Sequence, residues 1–546
     1  MKTDTFREQY EDLLSGSYDC ADRIVLNAYF PLAQSPGGFR TWWRVLHGND
    51  DSLDDTALTR YAGDFSRKIR AFAEKRKIPL IFCQTGDRKH EIAEKLMPKD
   101  PAFCGLFCIL VGRAPAPVRT VQRFGETGRH IIVKKPYPYV NHYSFHILDR
   151  QWGHITIKLC PHPPFNAQII LNGHEFVERA ACKRGISFTK DGNCFTSVSN
   201  SDALTRVADA MADTGGRLVQ VCERWIYSCC LSFALNTIEQ ERCGFRYAYS
   251  VYQAEYSRNY LFARGRQMEE LFEALIDRTR VPLDLKTVKT IFGFQRRPFS
   301  RKSGGKSPRM ELAIEKPTYN LTVFKIHFGL LTVKMYSKGE RVLRVEVITH
   351  NASRMDCGYG IGKLPAILSQ LRDILNRFVQ VLHCVDASFV EAAALDKWPM
   401  RTTLNGKPVA GVDINRPRMR AVAEAVVALA PHPKGFKAAD VAEHIRSHLP
   451  AFRRYHARQA AYDLRKLRAK RVVRRIPNTL RYETECDGIK SITALLVLRN
   501  KVLIPLLANG GYRKRVPKCH MSEMDLHYDI IQREMQSVFN SLGIAA

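Results

Sequence analysis

Apolar positions along the chain change their period several times, and each change predicts a different kind of element. Residues 1–75 read as helical, with Ser17 or Asp19 able to cap a helix entering DRIVLNAYF, Pro31 limiting it, and SPGG at 35–38 as a turn. Between 78 and 112 the pattern shortens to IPLIFC and FCGLFCILVG, two buried strands separated by the charged helix DRKHEIAEKL. That order predicts an α/β unit, without a glycine-rich phosphate loop. From about 138 to 172 apolar and polar residues alternate. In VNHYSFHIL, His142, Ser144 and His146 share one face and Tyr143, Phe145 and Ile147 the other. After a turn at Asp149 to Gly153, HITIKLC puts His154, Thr156 and Lys158 opposite Ile155, Ile157 and Leu159, which predicts an antiparallel hairpin. Helices are predicted over 173–184, 202–236 and 265–278.

Strands return at 317–350 in YNLTVFKIHF, LLTVKMY and RVLRVEVITH, followed by helices at about 363–383 and 416–431. Further on, Val441, Ala442 and Ile445 mark the inner face of one helix. Ala457, Ala460, Ala461, Leu464 and Leu467 mark that of another. VVRRIP and LRYET then read as two short strands around Pro477–Asn478–Thr479. Helix, turn, helix and hairpin is the order of a winged helix-turn-helix, placed at residues 432–485.

The expected fold class is α/β (α+β) and multidomain: a mixed helical and antiparallel-sheet body with a C-terminal winged helix-turn-helix. The expected regions are 1–135, helical then α/β; 136–295, hairpin plus helices; 296–315, a basic flexible loop; 316–412, strand-rich with a closing helix; 413–508, the winged helix with flanking helices; and 509–546, a basic then helical tail.

Charge decides what such a chain is expected to meet. Lys and Arg number 84 against 54 Asp and Glu, a net +30. An excess of that size calls for phosphate backbones or an anionic surface. No run of about 18 apolar residues occurs, and the opening MKTDTFREQYEDLL is not a signal peptide, so no membrane partner is expected. The 15 cysteines include no C-x-x-C pair, which predicts reduced core thiols in a cytoplasmic protein; a DNA partner would make it nucleoid-associated.

Residues 401–546 carry 27 basic and 12 acidic residues, half of the chain's excess. Eleven basic residues and one acid, Asp463, lie between 453 and 481. Arg458, Gln459 and Tyr462 are expected to reach base edges, and Arg453, Arg454, Arg465, Lys466 and Arg468 to flank them. Arg474, Arg475 and Arg481 would lie on the wing. The acid-free stretch RRPFSRKSGGKSPR adds Arg296, Arg297, Arg301 and Lys302. DNA is the expected partner, with RNA as the alternative.

Two constellations are candidates for chemistry. Five histidines fall within 142–174, and on the expected hairpin His146 and His154 share a solvated face with Asp149 between them and Lys158 beyond. Such a face is able to hold a divalent metal and activate water; His174 and Glu175 follow, although Asn172 and Glu175 also fit a capping box. Hairpin, asparagine and His174 at a helix start resemble the ββα-metal nucleases. The second constellation is KMYSKGERVLRVEV, with Tyr336, Lys338, Arg344 and Glu346. This stretch resembles rolling-circle replication initiators, which implies Tyr336 as a nucleophile and Glu346 as a metal ligand; with the histidine face, the expected metal ligands are His146, His154 and Glu346. The His-hydrophobe-His motif of such proteins is absent. A plain cross-strand hairpin accounts for the same residues. Glu223 and Glu255 are further carboxylates that would complete a cluster.

SYDCADRIVLNAYF, SPGGFRTWWR, FHILDRQWGH, ILNGHEFVERA, KGERVLRVEV and RQAAYDLRKLR together resemble a widespread group of bacterial proteins, which implies a bacterial source but no activity. The function expected is nucleic-acid binding through the winged helix, in the service of a mobile element. The alternatives are a metal-dependent nuclease, transposase or replication initiator, and an RNA-binding ribonucleoprotein component. No cofactor is fixed by the sequence; Mg2+ or Mn2+ belongs to the enzymatic reading alone.

Overall fold

The computed structural model describes residues 4–124, 130–212, 215–280, 309–315, 321–386, 396–504 and scattered positions between 526 and 537. By its contacts the chain divides into two compact units. One comprises Glu11–Met268 and Leu330–Leu375, the other Met1–Tyr10, Glu269–Gly329 and Asn376–Ala546. The architecture is mixed α/β.

In the first unit, strands β1 (Leu14–Tyr29), β2 (Leu80–Phe82), β3 (Gly105–Pro115), β6 (Tyr139–Asp149), β7 (Gly153–Leu159), β8 (Ala167–Asn172), β11 (Ala248–Phe262), β14 (Leu331–Lys338) and β15 (Val342–Thr349) belong to one sheet. Their order is β14-β15-β11-β1-β8-β7-β6-β3-β2. Two small hairpins, β4 (Thr120–Phe124) with β5 (His130–Lys134) and β9 (Phe188–Asp191) with β10 (Cys194–Val198), stand apart from it.

The helix expected to enter DRIVLNAYF is instead the sixteen-residue strand β1. It pairs with β11 along one edge and β8 along the other, and its side chains are buried on both faces. A segment with so little polar face and two partners is a central strand, not an amphipathic helix. The SPGG turn is likewise corrected. Ser35 accepts a hydrogen bond from Gly38 N and caps the helix Pro36–His47, with proline in its first turn.

The α/β unit and the hairpin fold as the sequence predicts. Strands β2 and β3 run parallel, connected through the helix Lys89–Lys95. Strands β6 and β7 pair antiparallel, with Phe145 opposite Ile157 and Ile147 opposite Ile155. The Tyr143 face packs under the helix Asp55–Arg76, where Phe65 meets the Tyr143 ring at 5.0 Å. The other face differs from expectation: His142, Ser144 and His146 are buried too.

In the second unit, the helix Pro417–Leu429 is buried over most of its circumference. Strand β18 (Phe436–Lys437), the helices Ala438–His448 and Ala457–Ala469, and strands β19 (Val473–Arg475) and β20 (Arg481–Thr484) follow in the predicted order. The strands form an antiparallel sheet, β18-β20-β19. Asn478 turns the hairpin with a φ of 57°. Gly435 (φ 67°) is needed at the entry to β18, because a Cβ there would stand 2.3 Å from the Tyr482 carbonyl oxygen. Two further hairpins belong to this unit, β12 (Arg309–Glu315) with β13 (Leu321–Phe328), and β16 (Thr402–Leu404) with β17 (Lys407–Val409). Among the described residues no helix is long and apolar enough to cross a membrane.

Candidate functional sites

Strand register assembles a row of polar side chains that no single segment reveals. Ser257 on β11 is opposite Glu346 on β15, which is opposite Lys334 on β14. In the neighbouring row, Asn259 is opposite Arg344 and Arg344 is opposite Tyr336. An irregularity in β1 between Ala21 and Ile24 brings Asp22 to the same cluster, where Ser257 Oγ donates to its Oδ1 at 3.1 Å.

His174 arrives from the helix Gly173–Lys183. The Asn172 side chain caps that helix by accepting from His174 N at 2.9 Å. Gly173 lies so close to β1 that a Cβ would stand 1.8 Å from the Ala21 carbonyl oxygen. Glycine therefore lets the helix start reach the strand, and His174 Nδ1 comes within 2.7 Å of Asp22 Oδ1. The expected capping box is not formed; Glu175 pairs with Lys190 at 2.7 Å and Arg179 at 3.0 Å.

Arg344 is 0% exposed. Its Nε donates to Asn259 Oδ1 at 2.7 Å, Nη2 donates to the Asn193 carbonyl at 2.6 Å, and Nη1 stands 3.4 Å from Asp22 Oδ2. Burial opposes the charge on Asp22, but Arg344 and His174 outweigh it and hold the carboxyl at about 2. Burial pushes His174 down against the pull of Asp22.

The other two acids behave oppositely. Burial, and then the charge of Glu346, raise Glu255 to about 7. Glu346 is raised by burial and by Asp22, with Lys334 at 3.5 Å pulling the other way. Tyr336 donates toward Glu346 Oε2 at 3.4 Å, and burial together with Glu346 keeps its phenol protonated. Asp22 is thus a saturated hub, while Glu255 and Glu346 form a carboxyl pair that holds back a proton.

Cys20, Asp22 and His174 place potential ligand atoms within 4.8 Å of one another, all buried. They do not suit a metal as they stand. Arg344 and His174 occupy the Asp22 carboxylate, and burial followed by Asp22 raises the Cys20 thiol, which donates to the Ala21 carbonyl. Glu255 and Glu346 are oxygen donors of the kind a divalent cation takes; Gln253 Nε2 donates to Glu255 Oε1 at 2.7 Å, and Lys334 Nζ stands 3.5 Å from Glu346 Oε2.

The expected histidine face is only partly assembled. His146 Nδ1 lies 3.0 Å from His154 Nε2, and Thr156 Oγ1 is 3.3 Å from the same His146 nitrogen. His146 Nε2 is buried without a partner. Burial, then His154, lower His146 to about 3. Asp149 does not join the pair. It accepts from Gln151 N at 2.8 Å, Trp152 N at 2.9 Å and Trp225 Nε1 at 2.9 Å, closing the turn. Glu346 is five strands from His146, roughly 24 Å at about 4.8 Å per strand. The expected ligand set His146, His154 and Glu346 is therefore not brought together. His174 and Glu346 do share a cluster. Lys158 lies on β7 opposite Ser144, away from it.

On the second unit, Arg453, Arg454, Arg458, Gln459, Arg474 and Arg475 are exposed and Tyr462 is 52% exposed. Arg465, Arg468 and Arg481 are half-buried. Asp463 turns inward instead of joining the charged face. It is 0% exposed, receives Tyr455 Oη at 2.9 Å and Arg418 Nε at 2.7 Å, and has Lys466 Nζ at 3.2 Å. Ala457, expected in the apolar stripe, is exposed at the helix start. Arg474 is tied to Glu483 at 2.7 Å. Arg296, Arg297, Arg301 and Lys302 lie outside the described residues.

Sequence reasoning missed Asp22, Ser257, Asn259 and Lys334. The signal was present as polar residues inside the apolar strands of CADRIVL, EYSRNYL and LTVKMY, where an unexplained buried polar group asks for a partner. Family models, curated proteins and solved structures were compared with the chain, and none matches.

Proposed function

We propose that this protein binds nucleic acid, with duplex DNA as its principal target, through the helix pair Ala438–His448 and Ala457–Ala469 and the β19–β20 hairpin, acting as a winged helix-turn-helix. One observation carries the reading. Arg453, Arg454, Arg458 and Gln459 are exposed in and just before the first turn of the second helix, while the nearby acid Asp463 is buried and neutralised from within. The surface left to solvent is a guanidinium and amide face, suited to phosphates and base edges. The test is duplex binding by the full chain across a salt series. Arg454→Ala with Arg458→Ala is expected to flatten the slope of log affinity against log salt by about 1–2. An unchanged slope and affinity would remove the assignment.

The Glu255–Glu346 pair favours a second reading, divalent-cation-dependent phosphodiester chemistry with Tyr336 as the nucleophile. Glu255 and Glu346 would hold Mg2+ or Mn2+, which supplies charge stabilisation at a phosphate; Lys334 stands beside them as a further cation. Tyr336 must lose a proton to attack phosphorus, and Glu346 is the acceptor its hydroxyl already faces; the new phenol O–P bond replaces one sugar O–P bond, and the proton taken by Glu346 would pass to the leaving sugar oxygen. Covalent adducts of single-stranded or duplex DNA, lost in Tyr336→Phe and in EDTA, would support this reading. Cleavage unaffected by Tyr336→Phe would exclude tyrosine attack.

A further inference from the structure

The best-marked remaining feature lies across β3, β6 and β7. Lys158 on β7 is directly opposite Ser144 on β6, and His142, two residues along the same face, is directly opposite Gly112 on β3. Lys89, the first residue of the helix Lys89–Lys95, lays its side chain over Gly112. A Cβ at Gly112 would stand 2.3 Å from Lys89 Nζ, so the absent side chain is what admits the ammonium group. Two ammonium groups and an imidazole thus gather on one patch of sheet.

No acid answers them. Neither Lys89 nor Lys158 has a hydrogen-bonded or carboxylate partner among the described residues, and both are half-buried. The charges that bear most on Lys158 and His142 are cationic: Lys89 acts on both, and Lys158 and His162 act on His142. Burial and these neighbours lower Lys158 and bring His142 to about 4. Two like charges held near one another without a counter-ion repel, and an anion that joins them relieves that repulsion.

We propose that Lys89, Lys158 and His142 form a binding site for a phosphate group. A tetrahedral phosphate anion matches two point-like ammonium donors, one from a strand and one from a helix, and needs no planar fork. His142 Nδ1 donates to the Val140 carbonyl at 3.2 Å. Its Nε2 is therefore the nitrogen left for the anion, able to donate to any phosphate oxygen once the anion has raised the imidazole, and to accept only from the P–OH of a free or monoester phosphate. The phosphate is either a link in a nucleic-acid backbone, which rests on the function proposed above, or a free or monoester phosphate, which does not.

Equilibrium dialysis of the full chain with radiolabelled inorganic phosphate tests the site. Saturable binding of one phosphate per chain is expected, weakened about tenfold in Lys89→Gln and in Lys158→Gln and largely retained in Lys158→Arg. Arg454→Ala with Arg458→Ala, directed at the other unit, should leave phosphate binding unchanged, so failure there and failure here are separable. Melting gives the second readout. Phosphate should raise the Tm of the wild type, while Lys158→Gln should melt higher than the wild type without phosphate and gain nothing from it. A single-stranded oligonucleotide that displaces the labelled phosphate identifies the backbone as its source; lack of displacement identifies a free or monoester phosphate. No saturable binding, or equal binding by the wild type and both glutamine variants, would overturn the proposal.

Discussion

Arg344 and Asp22 lie 322 positions apart in the chain and meet at 3.4 Å with both side chains sealed from solvent. Removing one member of such a pair strands the other charge in a low-dielectric interior. Arg344→Met is therefore expected to destabilise the first unit by about 3–5 kcal/mol. The double variant with Asp22→Asn should recover part of that loss. Denaturant unfolding followed by tryptophan fluorescence measures both, and a double variant no more stable than Arg344→Met alone would show that the charges are not coupled.

Glu255 gives stability a definite pH dependence. In the folded protein its carboxyl keeps a proton up to about pH 7, whereas an unfolded glutamate loses it near about 4.3. The folded state then binds more protons across that interval, so this group's contribution is fully present below the unfolded value and falls as pH rises through the window. Glu255→Gln should melt progressively higher relative to the wild type from pH 5 to pH 8. A difference in Tm that is constant over that range would contradict the assignment.

Within the second unit, Cys384 Sγ donates to Cys486 Sγ at 3.3 Å and Gln380 Nε2 donates to it at 2.9 Å. These bonds, led by that from Cys384 and opposed by burial, hold Cys486 at about 6, at the first residue of the helix Cys486–Val497. Thiolate is the reactive form. Iodoacetamide at pH 7 should therefore label Cys486 ahead of the exposed Cys104 and Cys182, and Gln380→Leu should slow it severalfold. Peptide mass mapping against time reads the order directly.

The arginines of the β19–β20 hairpin should not be equivalent to those at the helix start. Arg474 is engaged by Glu483, whereas no carboxylate partners Arg454 among the described residues. If the module grips phosphates, Arg454→Ala should lower the salt slope of duplex binding by about 1 and Arg474→Ala by clearly less. Releasing Arg474 with Glu483→Gln should strengthen binding. Anisotropy titrations at four salt concentrations would show it, and a larger effect from Arg474→Ala would reverse the ranking.

Periodicity was enough to determine the local elements wherever one face met a core and the other met water. The β6–β7 hairpin, the β2–helix–β3 unit and the helices of the C-terminal module are legible from spacing alone, because period 2 and period 3.6 are imposed by the backbone itself. The basic character of 453–481 is equally a property of composition. Spacing misled where both faces are covered. The β1 segment has no polar side to betray its period, and only its two partner strands make it a strand. The sites were decided by tertiary structure for the same reason. Asp22, His174, Glu255 and Glu346 come from four separate segments, and their ionisation depends on Arg344, Lys334 and burial that exist only once the sheet has formed. In the sequence Lys89 belongs to a charged helix and Lys158 to the expected histidine face; register and the bare backbone of Gly112 set them on one patch of sheet without a counter-ion among the described residues.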